Sequence, residues 1–173
     1  IVNVRDKLFM IDCGEGAQLQ FRKSHLKFSR LNHIFISHLH GDHCFGLLGL
    51  ISTLNLLGRT AELHIHSPKG LETLLTPMLD FFNRQMTYKV LSHEFDTKEP
   101  MLIYEDRSLT VTTIPLRHRM PCCGFLFAEK RRPNHIIREM VDFYQVPVYE
   151  LNRIKNGADY VTPEGKTVSN NLL

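Results

Sequence analysis

Residues Ser29 to Leu50 read SRLNHIFISHLHGDHCFGLLGL, and two physical patterns meet there. Leu31 to Ser37, centred on Ile34, Phe35 and Ile36, is a short apolar run of the kind that forms a buried strand. Phe45 to Leu57 has the length and leucine content of a buried helix, with Gly58 as its stop. Between them stand His38, Leu39, His40, Gly41, Asp42 and His43, four ligand-type side chains in six residues. His38 and His40 alternate at the end of the strand, so their imidazoles point the same way. Gly41 is expected to let the chain turn so that Asp42 and His43 face the same pocket. Neutral imidazole suits zinc, and an adjacent carboxylate can bind a second metal or take a proton from bound water. A polar, metal-free turn is the lesser reading of four such residues converging at a strand end.

Working outward toward the N-terminus, Ile1 to Val4 and Lys7 to Ile11 read as a hairpin around Arg5 and Asp6. A glycine-rich corner, Asp12 to Gly16, follows, and Ala17 to Phe28 is expected to be helical. On the other side, Leu63 to His66 is a strand, Ser67 and Pro68 a turn, and Lys69 to Phe82 a helix. Tyr88 to Phe95, Met101 to Tyr104, Leu109 to Ile114 and Gly124 to Ala128 read as further strands. Strand and helix alternate, so the class is α/β. His64 and His66 also alternate on a strand, but they lack the glycine, the carboxylate and the fourth ligand. They are read as two polar side chains on one face. His118 follows a strand in a loop, where a distant third ligand would be supplied; alone it would be an ordinary surface histidine.

From Glu129 the texture changes. Lys130, Arg131, Arg132 and Pro133 lead into two short helical patterns, His135 to Phe143 and Val148 to Lys155, the second ending at Asn156 and Gly157. Tyr160 to Val168 reads as a hairpin turning at Pro163, Glu164 and Gly165.

At 173 residues, 43% of them hydrophobic and 23% charged, the chain has the makings of one globular domain or a large part of one, which excludes disordered and fibrous classes. A formal charge of +3 does not by itself announce a nucleic-acid binder. No apolar stretch reaches the ~18 residues of a membrane span, since Cys44 to Leu57 is broken by Gly46, Gly49, Ser52, Thr53 and Asn55. With no leader at Ile1, a cytoplasmic protein is expected, although the opening without methionine suggests that the natural N-terminus is missing. The four cysteines form no C-x-x-C pair and read as reduced thiols.

The H-x-H-x-D-H run of His38, His40, Asp42 and His43 resembles the signature of the metallo-β-lactamase superfamily. DCGEG at Asp12 to Gly16 followed by Gln18, the phrase from Ser29 to Leu50, and HRMPCCGF from His118 together resemble its ribonuclease Z family of transfer RNA 3′-end endonucleases. The resemblance implies an αββα sandwich with two zinc ions at one edge. His38, His40 and His118 would bind the first zinc, Asp42 and His43 the second, and Asp42 would also act as general base. Asp12 would brace the metal loop by hydrogen bonds without binding metal. The implied reaction is removal of the 3′ trailer from precursor tRNA by a metal-activated hydroxide, in a homodimer. Arg117, Arg119, Lys130, Arg131 and Arg132 are candidates for phosphate contacts, with a solvated charged face as the alternative.

The same resemblance divides the chain into residues 1–128, the N-terminal part of the catalytic domain; 129–157, a flexible arm that grips the transfer RNA; and 158–173, a return hairpin. Gln145 to Tyr149 departs from the arm pattern in lacking its glycine. The family completes its site with a bridging aspartate and a last histidine, neither of them within these residues, so a partial chain is expected. Two other functions stay open: another hydrolase of the same fold, of arylsulfatase or cyclic phosphodiesterase type, and a non-catalytic RNA-binding fragment with an incomplete metal site.

Overall fold

The expected N-terminal hairpin forms through two consecutive left-handed residues, Arg5 (φ 48°) and Asp6 (φ 67°), which join β1 (Val2–Val4) to β2 (Lys7–Ile11). Positive φ at both turn positions matches the right-handed twist of the flanking strands. The structure, a computed structural model, describes residues 1–82, 85–131 and 133–173, so the phosphate contact expected of Arg132 lies outside the described residues. The chain forms two compact units, Ile1–Glu129 and Lys130–Leu173.

In the first unit, β2 pairs in parallel with β3 (Leu31–Phe35), β3 with β4 (Leu63–Pro68) and β4 with β5 (Val90–Phe95), giving a five-stranded sheet in sequence order. The crossovers carry α1 (Ala17–Lys23), the one-turn α2 (Gly41–Cys44), α3 (Leu47–Leu56) and α4 (Leu71–Phe82). Two expectations need correction. The first helix stops five residues short of Phe28, because Ser24 caps it and His25 turns left-handed (φ 55°). Ser67 and Pro68 are not a turn; they are the last residues of β4, paired with Glu94 and Phe95.

Period-two alternation along the strands sets the layers. Leu8, Met10, Ile34, Leu63 and Ile65 point to the helices and meet Phe21, Leu47, Leu50, Ile51 and Leu54 in the main core. Phe9 and Phe35 point the other way and are wholly buried against a second, antiparallel sheet of β6 (Leu102–Glu105), β7 (Leu109–Leu116) and β8 (Cys122–Glu129). The result is a helix, sheet, sheet layering, the αββ part of the expected sandwich.

The β6–β7 turn is tied to the first sheet through Asp106. Its carboxylate accepts from the Tyr104 hydroxyl (2.7 Å), the Ser108 amide (2.6 Å) and the Lys7 ammonium. Burial works against its ionisation, but these donors outweigh it and hold the carboxyl well below the usual carboxylate range.

The second unit contains α5 (Arg138–Phe143), α6 (Leu151–Lys155), and the two-stranded ribbon of β9 (Tyr160–Val161) and β10 (Thr167–Val168). Gly157 (φ 95°) ends α6 and Gly165 (φ 82°) sits in the ribbon's turn. Val141, Val146, Ile154, Tyr160, Val168 and Leu173 form its own apolar core. Among the described residues no helix is long and apolar enough to cross a membrane.

Candidate metal centre

Two strand ends build the site. After β2 the chain enters a left-handed bend at Asp12 (φ 56°) whose amide donates to the Phe35 carbonyl at 2.8 Å. The corner then runs directly against the histidine loop: the Cys13 amide donates to the His43 carbonyl (2.7 Å) and the Gly46 amide to the Cys13 carbonyl (2.8 Å). Contact is close enough to require glycine. A Cβ on Gly14 would lie 1.9 Å from the Asp42 carbonyl oxygen, and one on Gly46 would lie 2.0 Å from the Gly14 carbonyl oxygen. Gly41 serves differently from expectation. It has no left-handed φ; it opens α2, and a Cβ there would meet the Phe45 ring at 2.4 Å.

The Asp12 carboxylate organises the loop. Oδ1 accepts from the Ser37 amide at 2.7 Å, while Oδ2 accepts from the Ser37 hydroxyl at 2.9 Å and from His43 Nδ1 at 2.8 Å. The Ser37 hydroxyl also lies 2.9 Å from His38 Nδ1.

Beyond these braces, His38, His40 and His118 converge so that one ligand atom from each falls within 4.8 Å of the others. His38 Nε2 is 3.0 Å from His40 Nδ1, and His118 Nε2 is 3.3 Å from the same atom. A tetrahedral zinc with bonds of about 2.0–2.1 Å sets its nitrogen ligands roughly 3.4 Å apart, so the donor set and its spacing fit such an ion. His118 reaches the group from the loop between β7 and β8, and the Cys123 amide at the start of β8 donates to the Ser37 carbonyl, just past the end of β3 (3.1 Å).

Burial first, then the neighbouring imidazoles of His43, His118 and His40, hold His38 below its ordinary pKa against the pull of Asp12. The ring is thereby kept neutral and able to ligate. Cys13 and Cys123 are pushed up to about 12, chiefly by burial, so these free thiols are poor ligands beside the imidazoles. Asp42 and His43 stand next to the group without joining it. His43 Nε2 lies 3.4 Å from Asp42 Oδ2, and the Asp42 side chain is 79% exposed.

Arg117 and Arg119 flank His118 on the exposed loop, and with Lys98 they border a surface groove beside it. Arg131 is exposed in the second unit, where Lys130 also lies. His64 and His66 belong to a larger array than the sequence suggested. His33 on β3 and His93 on β5 stack with them, with His64 Nδ1 2.9 Å from His93 Nε2 and His33 Nδ1 3.2 Å from His66 Nε2. Sequence reasoning passed over Ser37, Gly46, His33 and His93. Only parallel-strand register brings the last two to the pair.

Comparison with known proteins adds three findings. A family model described as Anti-Pycsar protein Apyc1 matches residues 1–135. The ribonuclease Z of Bacteroides fragilis is 79% identical over all 173 residues, which span 57% of that relative; that of Bacteroides thetaiotaomicron is 78% identical, with 55% of it spanned. The crystal structure of the short form of human tRNase Z aligns at a TM-score of 0.68 and 32% identity, covering 76% of this chain and 57% of that one. The chain thus spans somewhat more than half the length of the curated relatives it matches.

Proposed function

The chain belongs to the family that the Anti-Pycsar protein Apyc1 model describes, has the metallo-β-lactamase fold and resembles ribonuclease Z along its whole length, and from this premise we propose that it is the metal-binding part of a zinc-dependent endoribonuclease removing the 3′ trailer from precursor tRNA. The observation that carries the proposal is the convergence of His38, His40 and His118 at a strand end braced by Asp12.

His38, His40 and His118 would hold one zinc ion, and Asp42 with His43 would contribute to a second. Zinc bound there supplies Lewis acidity, which lowers the pKa of a coordinated water toward ~7 and offsets charge developing on phosphate oxygens. The chain's own groups do the rest. Asp42, whose exposed carboxylate lies beside His43, would accept a proton from the attacking water. Arg117, Arg119 and Lys98, which line one groove with His118, would offer cations to the phosphates either side of the scissile bond. The Lys130–Leu173 unit, carrying Lys130 and Arg131, is the RNA-gripping arm in this proposal, and the working state is a cytoplasmic homodimer.

The test is cleavage of an unmodified precursor tRNA by the full-length protein with zinc, together with elemental analysis of His38→Ala and His40→Ala. Cleavage at the trailer junction and loss of about one zinc per chain in either variant are expected; unchanged zinc content overturns the ligand assignment. One observation favours a second reading. The matching family model ends at residue 135, so it takes in the metal loops but not the core of the second unit. A hydrolase of small phosphodiesters would need no more, and turnover of such a diester without RNA cleavage would establish it. RNA binding without any turnover would leave the non-catalytic reading.

A further inference from the structure

Resting on the metal-site reading above, we infer that Ser37 is a positioning residue whose hydroxyl dictates which nitrogen of His38 is presented to a metal. The Ser37 hydroxyl touches two groups at 2.9 Å, Asp12 Oδ2 and His38 Nδ1, and it has one proton to give. An ionised carboxylate only accepts, so that proton goes to Asp12. The oxygen then offers a lone pair to His38, which must carry its hydrogen on Nδ1. His38 Nε2 is left as a lone pair, and it is this atom that lies 3.0 Å from His40 Nδ1 in the three-histidine group.

The reverse assignment fails on the same count. Were Ser37 to donate to His38 Nδ1, its oxygen would face Asp12 Oδ2 at 2.9 Å with lone pair against lone pair. The His38 proton would then sit on Nε2, pointing at the other ligands. Asp12 also accepts the Nδ1 hydrogen of His43 at 2.8 Å, so one carboxylate sets two imidazoles, His43 directly and His38 through Ser37. His40 faces the group with Nδ1 itself.

The hydroxyl is separable from the fold. The backbone at Ser37 is already held by its own amide on Asp12 Oδ1 (2.7 Å) and by the Cys123 amide on its carbonyl (3.1 Å). Neither bond involves the side chain, so Ser37→Ala removes the link between Asp12 and His38 together with a longer contact, 3.5 Å, to His43 Nδ1, which keeps its own 2.8 Å bond to Asp12.

The experiment uses the full-length protein as wild type, Ser37→Ala, Ser37→Thr and His38→Ala. Zinc affinity is measured by chelator competition, the imidazole tautomers of the metal-free protein by nitrogen-15 NMR, and folding by thermal unfolding without metal. Ser37→Ala is expected to bind zinc about 10–100-fold more weakly with an unchanged unfolding midpoint. Wild type should show the proton of His38 on Nδ1, Ser37→Ala a mixture, and Ser37→Thr recovery of both affinity and tautomer. Full affinity in Ser37→Ala, an equal loss in Ser37→Thr, or a wild-type proton on Nε2 would overturn the inference. His38→Ala separates the two levels. If it keeps its zinc, the site reading itself fails; if it loses zinc while Ser37→Ala does not, only the role of Ser37 falls.

Discussion

At the scale of single residues, the site depends as much on atoms that are missing as on ligands. Gly14 and Gly46 let two strand-end loops touch backbone to backbone, and a methyl on Gly14 would need the space occupied by the Asp42 carbonyl. Gly14→Ala should therefore push the histidine loop off the Asp12 corner. We expect a loss of about 2–3 kcal/mol in chemical denaturation of the metal-free protein, with weakened zinc binding alongside. A variant as stable as wild type would show that the corner yields freely. The candidate residues His38, His40, Asp42 and His43 could be singled out because their ligand chemistry is concentrated in one short loop, and of these four His38 and His40 join His118 in the three-histidine group. His118 is 78 residues from His40, and no local pattern reports such a distance; family resemblance alone singled it out. Ser37 and Gly46 went unread because a serine and a glycine next to a motif have many ordinary uses, and only the proton count and the contact distance distinguish these two.

At the scale of elements, register produces what no single strand reveals. β3, β4 and β5 pair in parallel with His33 opposite His64 and His66 opposite His93, so four histidines share the sheet face that carries Phe9 and Phe35. Tyr104 of β6 packs on His33 with ring centroids 4.5 Å apart, while Asp106 and Lys7 supply the nearby charges that act on His33 in opposite directions. Burial first, and then mutual repulsion, lowers His33 to about 4 and His66 to about 3, and lowers His64 as well. The sign follows from linkage. Unfolded histidines take up protons near pH 6.5, but these folded ones refuse them until His33 titrates near 4 and His66 near 3. Stability is therefore complete above about pH 7 and falls as the pH drops through the range below 6.5, by up to about 1.4 kcal/mol per pH unit for each buried histidine. Urea denaturation at pH 7, 6 and 5 should show that decline, with a shallower slope in His66→Gln. An identical slope in the variant would remove His66 from the account. The positions of the strands were largely legible from apolar runs, whereas the sandwich layering was implied by the family resemblance and the strand order came from the pairing alone. Helix ends were not legible, because the left-handed turn at His25 and the capping by Ser24 leave little trace in apolar periodicity.

At the scale of the whole molecule, the decisive question is whether the Lys130–Leu173 unit serves RNA or merely accompanies the metal site. The family resemblance separated an arm from a return hairpin, yet both stretches contribute to one core: Val141, Val146 and Ile154 from the first, Tyr160, Val168 and Leu173 from the second. That sharing shapes the test, since removing 130–157 alone would strip the ribbon of its packing. Ile154, only 1% exposed within that core, is the better lever. Ile154→Asp places an unpaired charge among apolar side chains at a cost of several kcal/mol, enough to unfold a small unit. The core of Ile1–Glu129 contains none of these residues, so the metal site should keep its zinc. If the unit grips RNA, the full-length variant should bind precursor tRNA at least about tenfold more weakly, on the order of 1.4 kcal/mol, while hydrolysing a small phosphodiester at close to the wild-type rate. Equal losses on both substrates would mean that the unit supports the catalytic body and does not hold the RNA. Retained binding with the unit unfolded, shown by protease cleavage confined to residues beyond Glu129, would place RNA recognition elsewhere, with Arg117 and Arg119 beside His118 the next residues to replace.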